Sequence, residues 1–228
     1  QNKCNVFIGE FPTGTGKGLL GLATAKLLDV PTVYLCGTKQ LQEQLKQTAK
    51  LNSWCQVLMG RNEYPCIKYR ANEQRTAEDC DNSENNKCAS FMRCPYKVAK
   101  KRALNAQVAV LNYSFFLHEA NYVGEFSREN QLIIADEGDT LEKELMSFIQ
   151  VEVGAWTRTH YNITTKPELK TKYSSWVQWA KTESINLNIQ LIRLQEAGYH
   201  NLRELREGKR LETIVRNLER LSRELDDT

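Results

Sequence analysis

Asn5-Val6-Phe7-Ile8 runs through Gly9-Glu10-Phe11-Pro12 into Thr13-Gly14-Thr15-Gly16-Lys17-Gly18 and then into the helix-prone stretch Leu19 to Leu28. A short apolar strand, a glycine-rich turn and a helix, in that order, form a loop that can wrap phosphates with backbone N–H groups at a helix N-terminus. Thr13, Gly14, Thr15, Gly16, Lys17 and Gly18 are therefore the expected nucleotide-holding set, with the Lys17 ammonium reaching the β and γ phosphates of ATP. The competing interpretation is a tight turn with no ligand. Ser or Thr ordinarily fills the last position and offers a hydroxyl to Mg²⁺, but Gly18 has none, so a water is expected in that place. On this ground Gly18→Thr is expected to bind Mg²⁺ more strongly and hydrolyse faster than the present sequence.

Working outward, Thr32-Val33-Tyr34-Leu35-Cys36 predicts a strand and Leu41 to Leu51 a polar helix, so the chain repeats a strand–helix unit. Such repeats imply a parallel sheet covered by helices. The pattern resumes at Gln107-Val108-Ala109-Val110-Leu111, a helix from Tyr113 to His118, and the strand Leu132-Ile133-Ile134-Ala135, which ends on Asp136-Glu137. The C-terminal edge of a parallel sheet is also where the phosphate loop emerges. Asp136 is thus expected to hold Mg²⁺ and Glu137 to polarise the attacking water, making Lys17, Asp136 and Glu137 the catalytic candidates. An acidic pair at a strand end is also a common helix-capping charge.

Between the two halves lies a stretch, Ala71 to Ala89, with no large apolar side chain. It cannot bury enough surface to offset chain entropy and is expected to be disordered unless cross-linked. Cys66, Cys80, Cys88 and Cys94 bracket it, separated by thirteen, seven and five residues. Structural zinc sites usually contain a close cysteine pair, and none occurs here. Four widely spaced thiolates suit the separated corners of a 4Fe-4S cluster, with zinc as the competitor, and the metal would supply the order the composition lacks. Cys4, Cys36 and Cys55 lie in or beside apolar runs and read as small buried hydrophobes. After Cys94 come Tyr96, Lys97, Lys100, Lys101 and Arg102, which could stack a base and neutralise phosphates of single-stranded DNA, or could simply line a solvated helix face.

From Val153 to the end the chain reads as helical. Leu211, Ile214, Leu218, Leu221 and Leu225 make one apolar stripe, and Trp176, Trp179, Leu187, Leu191 and Leu194 mark an earlier helix, with Gly198 or Gly208 available as the break of a helical hairpin. The 228 residues carry a net charge of only +3, so any nucleic-acid affinity must come from local patches. No apolar run is long enough to span a bilayer and no signal peptide opens the sequence, so an intracellular protein without a membrane partner is expected.

These ordered motifs resemble the XPD/DinG family of superfamily 2 iron-sulfur DNA helicases. Glu10 to Lys17 looks like its Walker A loop, Thr38-Lys39-Gln40-Leu41-Gln42-Glu43-Gln44-Leu45 like motif Ia, Gly60 to Cys66 and Cys94 to Lys100 like the approaches to the first and last cluster cysteines, and Asp136-Glu137-Gly138-Asp139 like the DEAH box. The resemblance implies a RecA-like P-loop motor domain over 1–59 and 103–152, an Fe-S insertion over 60–102, and an incomplete arch-like helical domain over 153–228. It implies ATP-driven 5′ to 3′ translocation on single-stranded and forked DNA, with Thr38 on the DNA backbone and with Tyr96 and Lys100 near the strand's path. Asp139 stands where the family has His, which puts the coupling of nucleotide state to DNA binding in question. No second motor domain follows the helices, so this piece is expected to bind nucleotide weakly and not to unwind DNA alone. Two other functions fit the residues: a single-stranded DNA-binding module whose chemistry has decayed at Gly18 and Asp139, and a zinc-stabilised ATPase unrelated to DNA.

Overall fold

Val33, Leu35, Ala109 and Leu111 alternate along their strands with Tyr34, Cys36, Val108 and Val110, and every one of the eight is buried. In an extended chain successive side chains point to opposite faces, so a strand buried along its whole length must be covered on both. The computed structural model, which describes residues 6–12, 14–49, 54–68, 74–80, 88 and 90–223, shows that arrangement. Strands β1 (Thr32–Cys36), β2 (Cys55–Val57), β3 (Val108–Asn112) and β4 (Leu132–Ala135) form a sheet of order β2-β3-β1-β4. All its pairings are parallel, with Thr32 opposite Val108 on one side and Leu132 on the other.

Two apolar clusters cover the faces. Tyr34, Cys36, Val108 and Val110 pack with Leu22 and Ala25 of α1 (Lys17–Leu28) and Leu45 of α2 (Lys39–Ala49). Val33, Leu35, Ala109 and Leu111 pack with Tyr96 and Ala103 of α3 (Pro95–Asn105), Tyr113 of α4 (Tyr113–Tyr122) and Phe126. Each fully buried aliphatic side chain here contributes about 2 kcal/mol from removal of its surface from water. Cys36 and Cys55 are buried as expected, and burial pushes their thiols up to about 12 and about 11, so both stay neutral. Cys4 lies outside the described residues.

The expected first strand is not formed among the described residues. Val6, Phe7 and Ile8 are 72%, 88% and 90% exposed and belong to no helix or strand. The described sheet ends at β4, which pairs only with β1 and whose Ile133 is exposed, so Val6 to Ile8 do not extend the sheet at that edge. After β4 comes α5 (Leu141–Ile149).

Contacts divide the chain into residues 1–148 and 149–228. The second unit contains α6 (Ala155–His160), α7 (Tyr173–Ala197) and α8 (Leu202–Arg223). Trp179, Ala180, Leu187 and Leu191 of α7 pack on Leu211, Val215 and Leu218 of α8, with Ile214 and Leu221 at the margin, and Leu225 lies outside the described residues. Gly198, at φ 75°, is the break in the hairpin. Gly208 instead sits inside α8, where the Tyr199 ring lies over it. The expectation of helix throughout fails between α6 and α7: Asn162, at φ 54°, closes α6, and Pro167 disfavours helix in the residue before it. No helix of the described residues is long and apolar enough to cross a membrane.

Candidate functional site

Three glycines shape the N-terminal turn. Gly14 and Gly16 have φ of 84° and 78°, in the left-handed region that favours glycine, and the Thr15 N–H and hydroxyl both donate to the Pro12 carbonyl at 3.4 and 2.8 Å. Gly16 caps α1 but has no side chain to bond its first amides, and that first turn holds no acidic residue while Lys17 begins it. A lysine at the positive end of a helix dipole is unfavourable alone and is stabilised by an anion, which the unengaged amides would also hold. Thr13 lies outside the described residues. Gly18 is the third of these glycines: a Cβ built there would lie 3.5 Å from the Leu45 methyl and 3.7 Å from the Tyr34 hydroxyl, in ordinary contact with both.

Strand β4 delivers the acidic pair beside β1, with the Asp136 N–H donating to the Leu35 carbonyl at 3.0 Å. Tyr34, 1% exposed, donates its hydroxyl to Asp136 Oδ2 at 2.8 Å. The Glu137 N–H donates to Asp136 Oδ1 at 3.0 Å, and the Tyr113 hydroxyl donates to the Asp136 carbonyl at 2.7 Å. Burial, then the Asp136 carboxylate, push the Tyr34 phenol well above its usual range, and the same two causes push Tyr113 up to about 12. Both remain donors at neutral pH. Glu137 adopts φ 55°, a left-handed conformation costing about 1 kcal/mol for a residue with a Cβ. Its exposed carboxylate lies beside Gly37, where an added Cβ would approach Oε2 to 3.1 Å. Asp139 is exposed in the 3-10 turn Gly138–Thr140 that follows.

The Tyr34 hydroxyl is therefore the point at which the first turn of α1 and the end of β4 meet. Asp136 is only partly buried, and its carboxylate has about four acceptor positions, of which these donors take two, so it fits the role of a Mg²⁺ ligand. Sequence reasoning missed Tyr34, because a tyrosine in an apolar strand reads as core. The signal was that a buried phenol needs a hydrogen-bond acceptor, and the acidic strand end was the obvious one.

The described parts of the cysteine insertion, 60–68 and 74–80, are braced by protein contacts, while 71–73, 81–87 and 89 of the stretch expected to need a cross-link lie outside the described residues. Arg61 Nε donates to the Ala77 carbonyl at 3.0 Å and Nη2 to the Cys80 carbonyl at 3.4 Å, while the guanidinium lies 5.5 Å from the centre of the Tyr96 ring. Pro65 and Thr76 form an antiparallel bridge, and the Cys66 and Ala77 N–H groups donate across it to Arg75 and Tyr64 at 2.8 Å each. Asp79 closes a capping box with Thr76. Residues 81–87 lie outside the described residues. Cys66, Cys80, Cys88 and Cys94 are all partly exposed thiols, a donor set whose chemistry suits a four-thiolate centre. Among the described residues no three metal-binding side chains are gathered tightly enough to hold an ion.

The DNA-facing candidates separate. Lys101 and Arg102 are exposed on α3. Thr38 is exposed but uses its hydroxyl to cap α2, accepting from the Leu41 N–H at 3.3 Å. Tyr96 is 7% exposed, held edge-on to Tyr64 at 5.7 Å, so its ring is unavailable for stacking in this conformation. The Lys100 side chain, 13% exposed, donates to Glu119 at 2.9 Å and pairs closely with Glu125, so its charge is engaged by carboxylates rather than offered to phosphate. Lys100→Ala would strand the buried Glu119 and should cost about 3 kcal/mol in urea unfolding. A loss below about 1 kcal/mol would mean that the lysine behaves as a solvated cation.

No curated protein matches the chain. Residues 33–156, more than half of it, match the family model DEAD_2, a stretch that contains Tyr34, the four cysteines and the acidic pair but begins after Lys17. The parallel sheet with helices on both faces is the RecA-like arrangement expected of that family, and the chain belongs to the DEAD_2 family of helicase-type, nucleic-acid-dependent ATPases.

Proposed function

We propose that this chain is the nucleotide-binding and iron-sulfur half of an ATP-driven DNA helicase of the XPD/DinG type, moving 5′ to 3′ along single-stranded DNA and working with a second motor domain at forks. The observation that carries the nucleotide site is the Tyr34 hydroxyl, which touches Asp136 and borders the space at Gly18, so that the phosphate turn and the acidic strand end share one corner of the sheet. In this reading the α1 amides and Lys17 grip the phosphates, Asp136 is the carboxylate that holds Mg²⁺, and Glu137 orients the attacking water. Bound Mg²⁺ supplies neutralisation of charge on the β and γ phosphates. Lys101 and Arg102 offer exposed cations to the DNA backbone. Cys66, Cys80, Cys88 and Cys94 are the ligands proposed for a 4Fe-4S cluster.

The test is ATP hydrolysis by the protein together with its second motor domain, with and without a single-stranded oligonucleotide. Severalfold stimulation by DNA is expected, as is displacement of streptavidin from a 3′ end and not from a 5′ end. A rate indifferent to DNA would leave a binding module or an unrelated ATPase, and displacement from the 5′ end would reverse the proposed direction.

A further inference from the structure

Two glycines of α1, Gly18 and Gly21, flank the same tyrosine. A Cβ on Gly21 would lie 2.7 Å from Tyr34 Cε2 and 3.4 Å from the Ile134 methyl, closer than a buried ring can yield, so glycine is what lets the Tyr34 ring lie against the helix. One turn earlier, at Gly18, the added atom would face the phenol oxygen at 3.7 Å. The ring thus rises from β1 beneath the first turns of α1 and places its hydroxyl beside the position where phosphate loops normally carry a Ser or Thr. From there it reaches Asp136 Oδ2 at 2.8 Å. The absence of a side-chain oxygen at Gly18 and the presence of this buried hydroxyl are complementary.

We propose that Tyr34 is a positioning residue whose hydroxyl, in the space left at Gly18, fixes the Asp136 carboxylate for the Mg²⁺ that accompanies the nucleotide. The Glu137 N–H holds the other carboxylate oxygen, so between them the two donors set the rotation of the group. This changes the expectation for Gly18→Thr, since a second hydroxyl adds little where one is already supplied. The inference rests on the nucleotide site proposed above.

The test follows a fluorescent ADP analogue bound to the intact chain, in EDTA and across a titration with MgCl₂. Tyr34→Phe removes one oxygen and keeps the ring. It should raise the Mg²⁺ concentration at half-effect by about tenfold, the worth of one hydrogen bond to a charged group. Affinity in EDTA should not move, a split that loss of packing would not produce. Gly18→Ser should bring the Mg²⁺ dependence of the Tyr34→Phe variant back toward the parent's, because a hydroxyl at position 18 makes the phenol redundant. An unshifted Mg²⁺ dependence, an equal loss in EDTA, or failure of Gly18→Ser to rescue would each overturn the proposal for Tyr34. Lys17→Ala separates the two levels: if it binds the analogue as the parent does, the nucleotide site itself is wrong and the role of Tyr34 falls with it.

Discussion

Glu137→Gln should leave nucleotide binding intact while slowing DNA-stimulated ATP hydrolysis by a hundredfold or more, the usual worth of a positioned general base. The expectation comes from how differently the structure treats the two adjacent carboxylates. Asp136 is held from three directions, by Tyr34 and the Glu137 N–H on its side chain and by Tyr113 on its carbonyl. Glu137 is exposed, and its backbone is turned to φ 55°, where the Thr140 N–H and hydroxyl each donate to its carbonyl at 2.8 Å. A left-handed glutamate is a local cost, and the bonds from Thr140 and the narrow space at Gly37 overdetermine it. Glutamine keeps the shape and removes only the basicity, so a binding defect should not accompany the loss of rate. If turnover survives Glu137→Gln within a few fold, the water is oriented by another group. If nucleotide affinity collapses as well, Glu137 is part of the binding site rather than the chemistry.

The distinction between Asp136 and Glu137 was not readable from the letters alone, whereas their location was. Leu132 to Ala135 is short, apolar and followed by two acids, and in a strand–helix repeat such a segment has one natural place, alongside the strand that begins at Thr32. The same reasoning placed β1 and β3, because a strand buried on both faces leaves an unbroken apolar run. It failed at Val6 to Ile8, where the run is equally apolar, since pairing depends on where the segment lies relative to a sheet edge and composition says nothing about that. It failed again at Lys100. Lysines at 97, 100 and 101 read as a basic face, turned to DNA or simply solvated, and only the fold brings Glu119 and Glu125 from α4 and the following loop up to one of them. Tyr34, Arg61 and Gly21 share that limitation: each is defined by a partner distant in the sequence. The four cysteines were legible as a group because cysteines are conspicuous in a polar stretch. The brace around three of them was not, because it consists largely of backbone carbonyls and a single guanidinium.

Arg61 holds the Cys80 carbonyl, the Cys66 N–H bonds the Arg75 carbonyl, and the Cys94 backbone caps α3, so these contacts are made by main-chain atoms and a Cys→Ser substitution removes a thiolate while leaving them in place. Cys88→Ser therefore tests the metal without touching that brace. On the proposed reading the parent, purified without air, is brown and carries about four irons per chain, and Cys88→Ser loses the colour and most of the iron. On the proposed reading, binding of the cluster cross-links the four thiolates across the insertion. Hydrogen exchange across 60–102 should therefore slow on loading, while the Cys66 and Ala77 amides, bonded at 2.8 Å across the Pro65–Thr76 bridge, stay protected in the variant. A colourless parent holding one zinc would keep the four-thiolate site and remove the cluster. A parent with neither metal, and with Cys88→Ser indistinguishable from it, would leave the insertion supported by its protein contacts, those of Arg61 and the Pro65–Thr76 bridge among them.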